Sequence, residues 1–285
     1  MEKTLEILKQ NDFMFKKKFG QNFITDTNLL DAIVADANIS SDDEVLEIGT
    51  GAGTLTMAVA KKCKKILTIE IDRTLKPILE QTFLGQDNIE LCFADFMKVS
   101  SGELNKHFSR PFKVVANLPY YITTPIIFKL LSEGFNVTNI TIMVQKEVAD
   151  RLTAESGTKD YGTITAQIDS IADVSIKRIV SRKMFTPMPN VDSAIVDIKL
   201  RRSKYDIQDL KLHSKVIESA FSMRRKTLSN CLKSKLGLTQ EQVDMLYEKL
   251  DFHPQIRGEV LDTYQFVLLS NAIFDMEHQS KNSQN

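Results

Sequence analysis

The segment Asn117-Leu118-Pro119-Tyr120 has residue types suited to chemistry on an exocyclic amine of a planar base. Such an amine is a weak nucleophile, because its lone pair is delocalised into the ring. The side-chain oxygen of Asn117 and the backbone oxygen of Leu118 can accept hydrogen bonds from the two amine hydrogens and stabilise the charge that develops. Pro119 stiffens the turn, and the ring of Tyr120 offers a face for stacking. On its own, however, the segment would be interpreted as a Pro-containing turn before a helix, with Tyr120 as a packing residue.

A glycine-rich segment, Glu47-Ile48-Gly49-Thr50-Gly51-Ala52-Gly53, precedes it in the chain. It lies between a predicted strand and a predicted helix, where glycine lets the backbone turn sharply and approach a ligand closely. Its Gly-x-Gly-x-Gly spacing differs from the Gly-x-Gly-x-x-Gly of dinucleotide folds, in which a pyrophosphate lies at the helix start. S-adenosylmethionine carries no phosphate, so the spacing favours this methyl donor. A Rossmann oxidoreductase remains the alternative on the glycines alone.

Acidic residues follow the next two predicted strands. Glu70 ends the second strand, where its carboxylate can accept both ribose hydroxyls of an adenosine. Asp95 follows the third strand and can accept from the adenine amine. The carboxyl ends of parallel strands share one edge of a sheet, so these residues should lie near Asn117. An exposed strand end is the simpler interpretation of each acid alone, but the combination favours a nucleoside site. The predicted cofactor residues from this pattern are Gly49, Gly51, Glu70, Asp95 and Asn117.

Short apolar runs alternate with helical patterns from residue 44 onward, which is typical of a parallel sheet covered on both faces. The predicted strands are Val45–Ile48, Ile66–Ile69, Ile89–Phe93, Val114–Ala116 and Ile140–Val144. Two later segments, Val174–Val180 and Ala194–Leu200, could pair antiparallel at one edge. After Arg201-Arg202 only helical spacing is found. We therefore predict an α/β, Rossmann-like methyltransferase sheet in residues 1–203 and a smaller all-α domain in residues 204–285.

The overall charge of the chain is zero, but the charges are unevenly distributed. Residues 199–226 contain nine Lys or Arg and three Asp or Glu, and Lys16-Lys17-Lys18 forms a second basic cluster. The three cysteines are far apart and none forms a Cys-x-x-Cys pair, so no disulfide framework and no metal site is predicted. There is no signal-peptide run and no apolar stretch long enough for a membrane. These features predict a cytoplasmic protein, and nothing requires more than a monomer.

Several segments in this order resemble the ribosomal RNA small-subunit adenine dimethyltransferase family, the family associated with kasugamycin sensitivity. The resemblance extends from about Phe15 to Tyr264. The matching segments are Lys18-Phe19-Gly20-Gln21-Asn22-Phe23-Ile24, the glycine-rich segment, Glu70-Ile71-Asp72, Asn117-Leu118-Pro119-Tyr120-Tyr121, Gln145-Lys146-Glu147-Val148-Ala149, Phe185-x-Pro187-x-Pro189-x-Val191-Asp192-Ser193 and Arg224-Arg225-Lys226-Thr227-Leu228.

The resemblance implies roles that the residues alone do not establish. Asn22 and Ile24 would close over S-adenosylmethionine, with Gly49 at its methionine end, and Asn117 would contact the reacting amine. Two methyl groups would be transferred to each of two adjacent adenines near the 3′ end of small-subunit rRNA, within a small ribosomal subunit or a late precursor. At position 50 this chain has Thr, where the family pattern usually has Pro. We expect this difference to change the affinity for the methyl donor at most.

Aromatic and basic residues supply the predicted substrate contacts. Phe23 could stack on the target adenine or pack against the sheet. The same alternatives apply to Phe185, and for this residue stacking is favoured because Pro187 and Pro189 would hold its loop rigid. The basic run Arg224, Arg225 and Lys226 is predicted to bind RNA phosphates, an attraction that salt weakens. A solvated charged face is the simpler interpretation of that run.

Three other functions compete with small-subunit dimethylation. A large-subunit rRNA dimethyltransferase would share the catalytic fold, although the Arg-Arg-Lys-Thr-Leu segment resembles the small-subunit group. A DNA adenine methyltransferase often has an Asn/Asp-Pro-Pro-Tyr turn, whereas the second residue here is Leu118 and no separate target-recognition domain is evident. A non-catalytic assembly factor with the same fold is disfavoured by the intact Asn117, Glu70 and Asp95.

Overall fold

The computed structural model describes residues 23–24, 26–201, 204–223 and 225–282. The predictions made for Asn22 and Arg224 lie outside these residues. The chain forms two units: one comprises the described residues up to Ala149 together with Ser175–Leu200, and the other comprises Asp150–Val174 together with the described residues from Arg201 onward. The division near residue 200 lies close to the predicted boundary. The sequence suggested this one boundary alone, whereas in the structure residues 150–174 also belong to the second unit.

The first unit is built on a mostly parallel sheet of seven strands within the described residues, in the order β4-β3-β2-β5-β6-β9-β7. The strands of the chain are β1 (Phe23–Ile24), β2 (Glu44–Ile48), β3 (Lys65–Glu70), β4 (Ile89–Phe93), β5 (Phe112–Asn117), β6 (Val137–Gln145), β7 (Ala172–Val180), β8 (Phe185–Thr186) and β9 (Ser193–Leu200). Strands β2 to β6 pair in parallel, and β9 runs antiparallel to β6. The predicted α/β sheet and its predicted edge strands are confirmed.

Helices pack against the sheet, whose central strands are buried along nearly their whole length. Every residue of β2 is buried, and so are five of the six residues of β3, as expected for parallel strands with both faces covered. The helices of this part of the chain are α1 (Thr27–Asp36), α2 (Thr54–Ala60), α3 (Lys76–Thr82), α4 (Ser101–Leu104), α5 (Thr123–Ser132) and α6 (Lys146–Leu152). Helix α1 begins at a side-chain cap, in which Asp26 accepts a hydrogen bond from the backbone N–H of Leu29 at 2.9 Å.

The strand order brings the carboxyl ends of three strands together. Strand β2 lies between β3 and β5, with Ile48 opposite Ile69 on one side and Glu47 opposite Val115 on the other. The chain therefore leaves β2 for a helix at the point where the strand order reverses, and open α/β sheets bind their ligands at this point.

A separate two-stranded ribbon forms from residues far apart in the sequence. Strands β1 and β8 pair antiparallel, with Phe23 opposite Thr186 and Ile24 opposite Phe185. Successive side chains of a strand point to opposite sides. Accordingly, Phe23 packs with Ala52 and with Leu75, Ile78 and Leu79 at and just before α3. Ile24 instead packs in the core with α1.

The second unit is helical, as predicted. Its helices are α7 (Thr163–Asp169), α8 (Leu210–Phe221), α9 (Leu228–Leu236), α10 (Gln240–Leu250) and α11 (Thr263–Asn282). Side-chain caps begin three of them, since Asp209, Thr227 and Thr239 each accept a backbone N–H of the first turn. One apolar core joins α7 to these helices, which explains why residues 150–174 belong to this unit. Among the described residues, no helix is both long and apolar enough to cross a membrane.

His213 lies buried in the second unit, with its ring nitrogens 2.8 Å from the hydroxyls of Ser170 and Ser270. Burial lowers its pKa from 6.5 to about 4. Below pH 6.5 the unfolded chain therefore takes up a proton that the folded chain does not. We expect the free energy of unfolding to fall by about 3 kcal/mol as the pH drops from 6.5 to 4, and to level off below that.

Urea unfolding of the intact chain at a series of pH values tests this expectation. In the variant His213→Gln, the free energy of unfolding should no longer fall by the amount assigned to His213 between pH 6.5 and 4. The variant His253→Gln, at an exposed position, should keep this fall. An unchanged slope in His213→Gln would show that this histidine does not carry the pH dependence.

Candidate active site

A cleft opens at the carboxyl edge of the sheet, where β2, β3, β4 and β5 end. It encloses about 860 Å³, including the open solvent at its mouth. The structure brings eight predicted site residues to its walls: Phe23, Gly49, Gly51, Glu70, Asp95, Asn117, Leu118 and Tyr120. The sequence pattern thus located most of the cleft.

The glycine turn and the Asn-Leu-Pro-Tyr turn face each other across this cleft. Gly49 has a φ of +85°, and a Cβ placed on it would have the backbone oxygen of Asn117 at 3.8 Å and the ring of Pro119 at 4.0 Å as its nearest neighbours. The two turns therefore lie close together at this point. Glycine is favoured at position 49 because its φ lies in the left-handed region.

Glu70 connects the glycine turn to the end of β3. Its two carboxylate oxygens accept backbone N–H groups, Oε2 from Gly51 at 2.9 Å and Oε1 from Asp72 at 2.8 Å. The side chain is only 6% exposed, and this burial raises the pKa of its carboxyl group although both hydrogen bonds oppose the rise. Each oxygen retains acceptor capacity, so the group can hold the turn and still receive ligand hydroxyls.

Asp95 lines the same cleft one strand further along. Its Oδ1 accepts the backbone N–H of Met97 at 3.0 Å, which fixes the side chain at the end of β4. Its Oδ2 lies 3.9 Å from the Nζ of Lys98, whose side chain is largely exposed. Solvent screens such a pair, so Oδ2 is available as an acceptor.

The Asn117-Leu118-Pro119-Tyr120 turn is held from both of its ends. Asn117 ends β5 and is half-buried, and the backbone oxygen of Pro119 accepts the N–H of Ile122 and the hydroxyl of Thr123, each at 3.1 Å. The hydroxyl of Tyr120 lies 2.9 Å from the Oγ of Ser193, and burial raises the pKa of Tyr120. The side chain of Leu118 is buried, so its backbone is the part that can contribute to the site.

Glu47 lies buried behind the glycine turn and was not predicted as a functional residue. Its Oε2 accepts the hydroxyls of Thr56 at 2.5 Å and Thr68 at 2.8 Å, while Oε1 has no hydrogen-bond partner within the described residues. Burial, reinforced by the charge of Glu70, raises the pKa of Glu47 to about 8.

The ribbon buries two residues that were predicted to contact ligands. The ring of Phe185 is 3% exposed and packs in the same core as Ile24, so it presents no face on which a base could stack. The side chain of Ile24 also packs in this core, and the predicted contact of Ile24 with the donor, which its backbone could still make, stays a prediction. The alternation along β1 is the physical reason for the burial of Ile24, because it directs Phe23 to the cleft and Ile24 to the core. Phe23 packs against α3 and also lines the cleft, and its stacking on the target adenine stays a prediction.

Two exposed apolar side chains at the cleft were missed by the sequence analysis. Tyr121 is 62% exposed and Ile71 is 47% exposed, and both line the cleft. The signal available for Tyr121 was the second tyrosine directly after the predicted turn. In the second unit, Arg225 and Lys226 are exposed between α8 and α9, where they are accessible to a polyanion.

A comparison with protein families decides between the classes that share this fold. The family model described as ribosomal RNA adenine dimethylase matches residues 12–266. The chain belongs to this family. It is therefore a methyltransferase that uses S-adenosylmethionine and acts on ribosomal RNA, and the Rossmann oxidoreductase considered for the glycine turn is excluded.

Similar proteins cover nearly the whole chain. Proteins named ribosomal RNA small subunit methyltransferase A are 43% identical over 272 residues in Clostridium acetobutylicum, with 95% of this chain and 98% of that protein covered, and 42% identical over 273 residues in Clostridioides difficile, with 95% and 94% covered.

Similar solved structures agree with this family assignment. A dimethyladenosine transferase from Plasmodium falciparum is 29% identical with a TM-score of 0.74, covering 87% of this chain and 95% of that one. The 23S rRNA methyltransferase ErmE is 25% identical with a TM-score of 0.67, covering 89% of this chain and 100% of that one. The predicted fold class, with its helical C-terminal part, is thereby confirmed.

Proposed function

We propose that this chain transfers methyl groups from S-adenosylmethionine to N6 of two adjacent adenines near the 3′ end of small-subunit rRNA, giving N6,N6-dimethyladenosine. The observation that carries the proposal is that the two turns lie next to each other in the wall of one cleft, where a Cβ on Gly49 would be in contact with the backbone oxygen of Asn117 at 3.8 Å. A donor held at one turn would therefore lie beside an amine held at the other.

The residues present fit an adenosyl group. In the proposal, Gly49 and Gly51 bind the methionine end, the carboxylate of Glu70 accepts the ribose hydroxyls, and Asp95 accepts from the adenine amine through Oδ2. Glu70 is suited to this role because it is already held by two backbone N–H groups, so little side-chain entropy is lost on binding.

The Asn117 turn orients the amine that receives the methyl group. The side-chain oxygen of Asn117 and the backbone oxygen of Leu118 accept the two amine hydrogens, which favours the tetrahedral geometry of the attacking nitrogen and stabilises its developing positive charge. S-adenosylmethionine would supply the methyl group on a sulfonium: the S–CH3 bond breaks as N6 bonds to the methyl carbon, the neutral thioether S-adenosylhomocysteine leaves, and the methylated amine loses its extra proton to solvent. Positioning of the two reactants provides much of the remaining acceleration.

Aromatic side chains around the cleft would hold the extruded adenine. The ring of Tyr120 is fixed through its hydroxyl to Ser193 and offers the base a rigid face. Phe23 closes the opposite side of the cleft, next to the glycine turn, since a Cβ on Gly51 would lie 3.2 Å from its ring. Tyr121 presents the most exposed ring at the mouth.

We further propose that the substrate is the rRNA within a small ribosomal subunit or a late precursor, that the reaction takes place in the cytoplasm, and that the enzyme acts as a monomer. The small-subunit context is supported by the names of the relatives at 43% and 42% identity. A role of the helical unit as an RNA-binding domain, including Arg224 in the basic run, belongs to the same proposal.

The exposed cations of the second unit provide a test of RNA binding. Changing Arg225 and Lys226 together to Glu should weaken binding to small subunits at low salt and reduce the slope of log Kd against log salt concentration by about 1–2, because phosphate contacts release counterions. Filter binding at a series of salt concentrations measures this. The same charge change at Lys61 and Lys62, an exposed pair in the first unit, should have a smaller effect, and equal weakening by both pairs would indicate a non-specific charge effect.

Methyl transfer to alternative substrates tests the proposed specificity. We would offer labelled S-adenosylmethionine with under-methylated small subunits, large subunits or adenine-rich duplex DNA. Label in small subunits alone is expected. Label in large subunits would favour the second candidate, a large-subunit dimethyltransferase, which the similarity to the ErmE structure supports. Label in DNA, or donor binding without transfer, would contradict the proposal.

A further inference from the structure

The glycine turn is attached to β3 through three consecutive residues. The N–H of Gly49 donates to the backbone oxygen of Ile69 at 2.9 Å, and the N–H of Gly51 donates to the carboxylate of Glu70. Between them, the Oγ1 of Thr50 lies 2.6 Å from the Oγ1 of Thr68. The first attachment joins two backbone groups and is available to any sequence, the second requires the carboxylate of Glu70, and the third requires a hydroxyl on both Thr50 and Thr68.

The direction of this third hydrogen bond follows from the next one. The hydroxyl of Thr68 also lies 2.8 Å from the Oε2 of Glu47, to which it donates its single hydrogen, and the arrangement that satisfies both hydroxyls then has Thr68 accepting from Thr50. Thr50 therefore donates to Thr68, which donates to Glu47. All three side chains are buried, and the chain of bonds ends at the carboxyl group of Glu47, whose Oε2 also accepts the hydroxyl of Thr56.

We propose that Thr50 is a positioning residue for the methyl donor, which acts by anchoring the glycine turn through Thr68 to the buried carboxyl group of Glu47. Gly49 and Gly51, on either side of it, both have positive φ values, +85° and +55°, and glycines in this region are conformationally permissive. A side-chain anchor between two permissive residues restricts the turn to one conformation before the donor binds. This lowers the entropy lost on binding.

The expected effect of removing this anchor is a loss of donor affinity with the fold retained. In Thr50→Val, Thr68 loses a donor to its oxygen but keeps its own hydrogen bond to Glu47, so no buried N–H or O–H group is left without an acceptor. One neutral hydrogen bond contributes little on its own, and we expect the Kd for S-adenosylmethionine to rise about three- to tenfold. The KM for the donor should rise similarly, while kcat at saturating donor and the KM for the ribosomal subunit stay near wild type.

Two further variants separate positioning from general stability. Thr50→Ser keeps the hydroxyl and should restore the affinity. Thr56→Val removes a hydroxyl from the same carboxylate without touching the turn, so it should lower the Tm and leave the Kd within twofold of wild type. Should valine not be accommodated at position 50, Thr50→Ala removes the same hydroxyl with less bulk.

Calorimetric titration of the intact protein with S-adenosylmethionine and with S-adenosylhomocysteine measures these affinities without RNA. Wild-type affinity in a folded Thr50→Val variant would overturn the inference, and so would equal losses in Thr50→Val and Thr56→Val. The inference rests on the donor-binding roles proposed above. Its failure is distinguishable from theirs, because Glu70→Gln would then still weaken donor binding strongly while Thr50→Val would bind the donor like the wild type.

Discussion

Replacing Asn117 by alanine is expected to reduce methyl transfer by at least about 100-fold, since one oriented acceptor or donor at a reacting group typically contributes a factor of this size. The change removes the side-chain oxygen that accepts an amine hydrogen, but it leaves the glycine turn, Glu70 and Asp95 in place. The Kd for S-adenosylmethionine should therefore remain within a few-fold of wild type. Single-turnover transfer to small subunits and donor titration measure the two quantities separately.

A conservative variant strengthens this test. Asn117→Asp keeps an oxygen acceptor at the same position, so it should recover part of the activity that Asn117→Ala loses. Thermal unfolding of each variant shows whether the end of β5 is still formed. Turnover close to wild type in a folded Asn117→Ala protein would remove Asn117 from the chemical step.

Replacing Glu70 by glutamine is expected to raise the Kd for S-adenosylmethionine by at least about 100-fold. Hydrogen bonds to a charged group are worth roughly 1.5–3 kcal/mol each, and the proposed ribose contacts include two. The amide also places an NH2 group where the carboxylate now accepts a backbone N–H from Gly51 or Asp72. The variant therefore loosens the glycine turn as well as the ribose contact.

Calorimetric titration of Glu70→Gln measures the loss, and Glu80→Gln is a matched control. Glu80 lies on α3 with an exposed side chain whose ion pair with Lys76 is 3.7 Å long, so its replacement should leave the affinity unchanged. If Glu70→Gln bound the donor within threefold of wild type, the donor would have to lie elsewhere in the cleft.

The sequence was sufficient to predict the cleft because its residues lie at the ends of strongly apolar strands. Glu70 and Asn117 are the last residues of β3 and β5, and the parallel arrangement brings such ends to one edge regardless of the details of packing. The types of these residues then indicated which part of a nucleoside or an amine each could bind.

Contacts between residues far apart in the chain could not be predicted in this way. The ribbon that buries Phe185 pairs two-residue strands more than 150 positions apart, and segments this short carry no periodic signal. The same applies to the hydrogen bond between Tyr120 and Ser193 and to the packing of α7 with the C-terminal helices. Such contacts depend on the folded core. They explain why Phe185 is buried and why residues 150–174 group with the C-terminal helices, neither of which the sequence predicted.

The central claim is tested most directly by mapping the product on the RNA. Small subunits lacking this modification would be incubated with the enzyme and S-adenosylmethionine, and the rRNA would be digested and sequenced by mass spectrometry. The account predicts N6,N6-dimethyladenosine at two adjacent adenines near the 3′ end of small-subunit rRNA. Methylation at another position, on another atom of the base, or on only a single isolated adenine would contradict it.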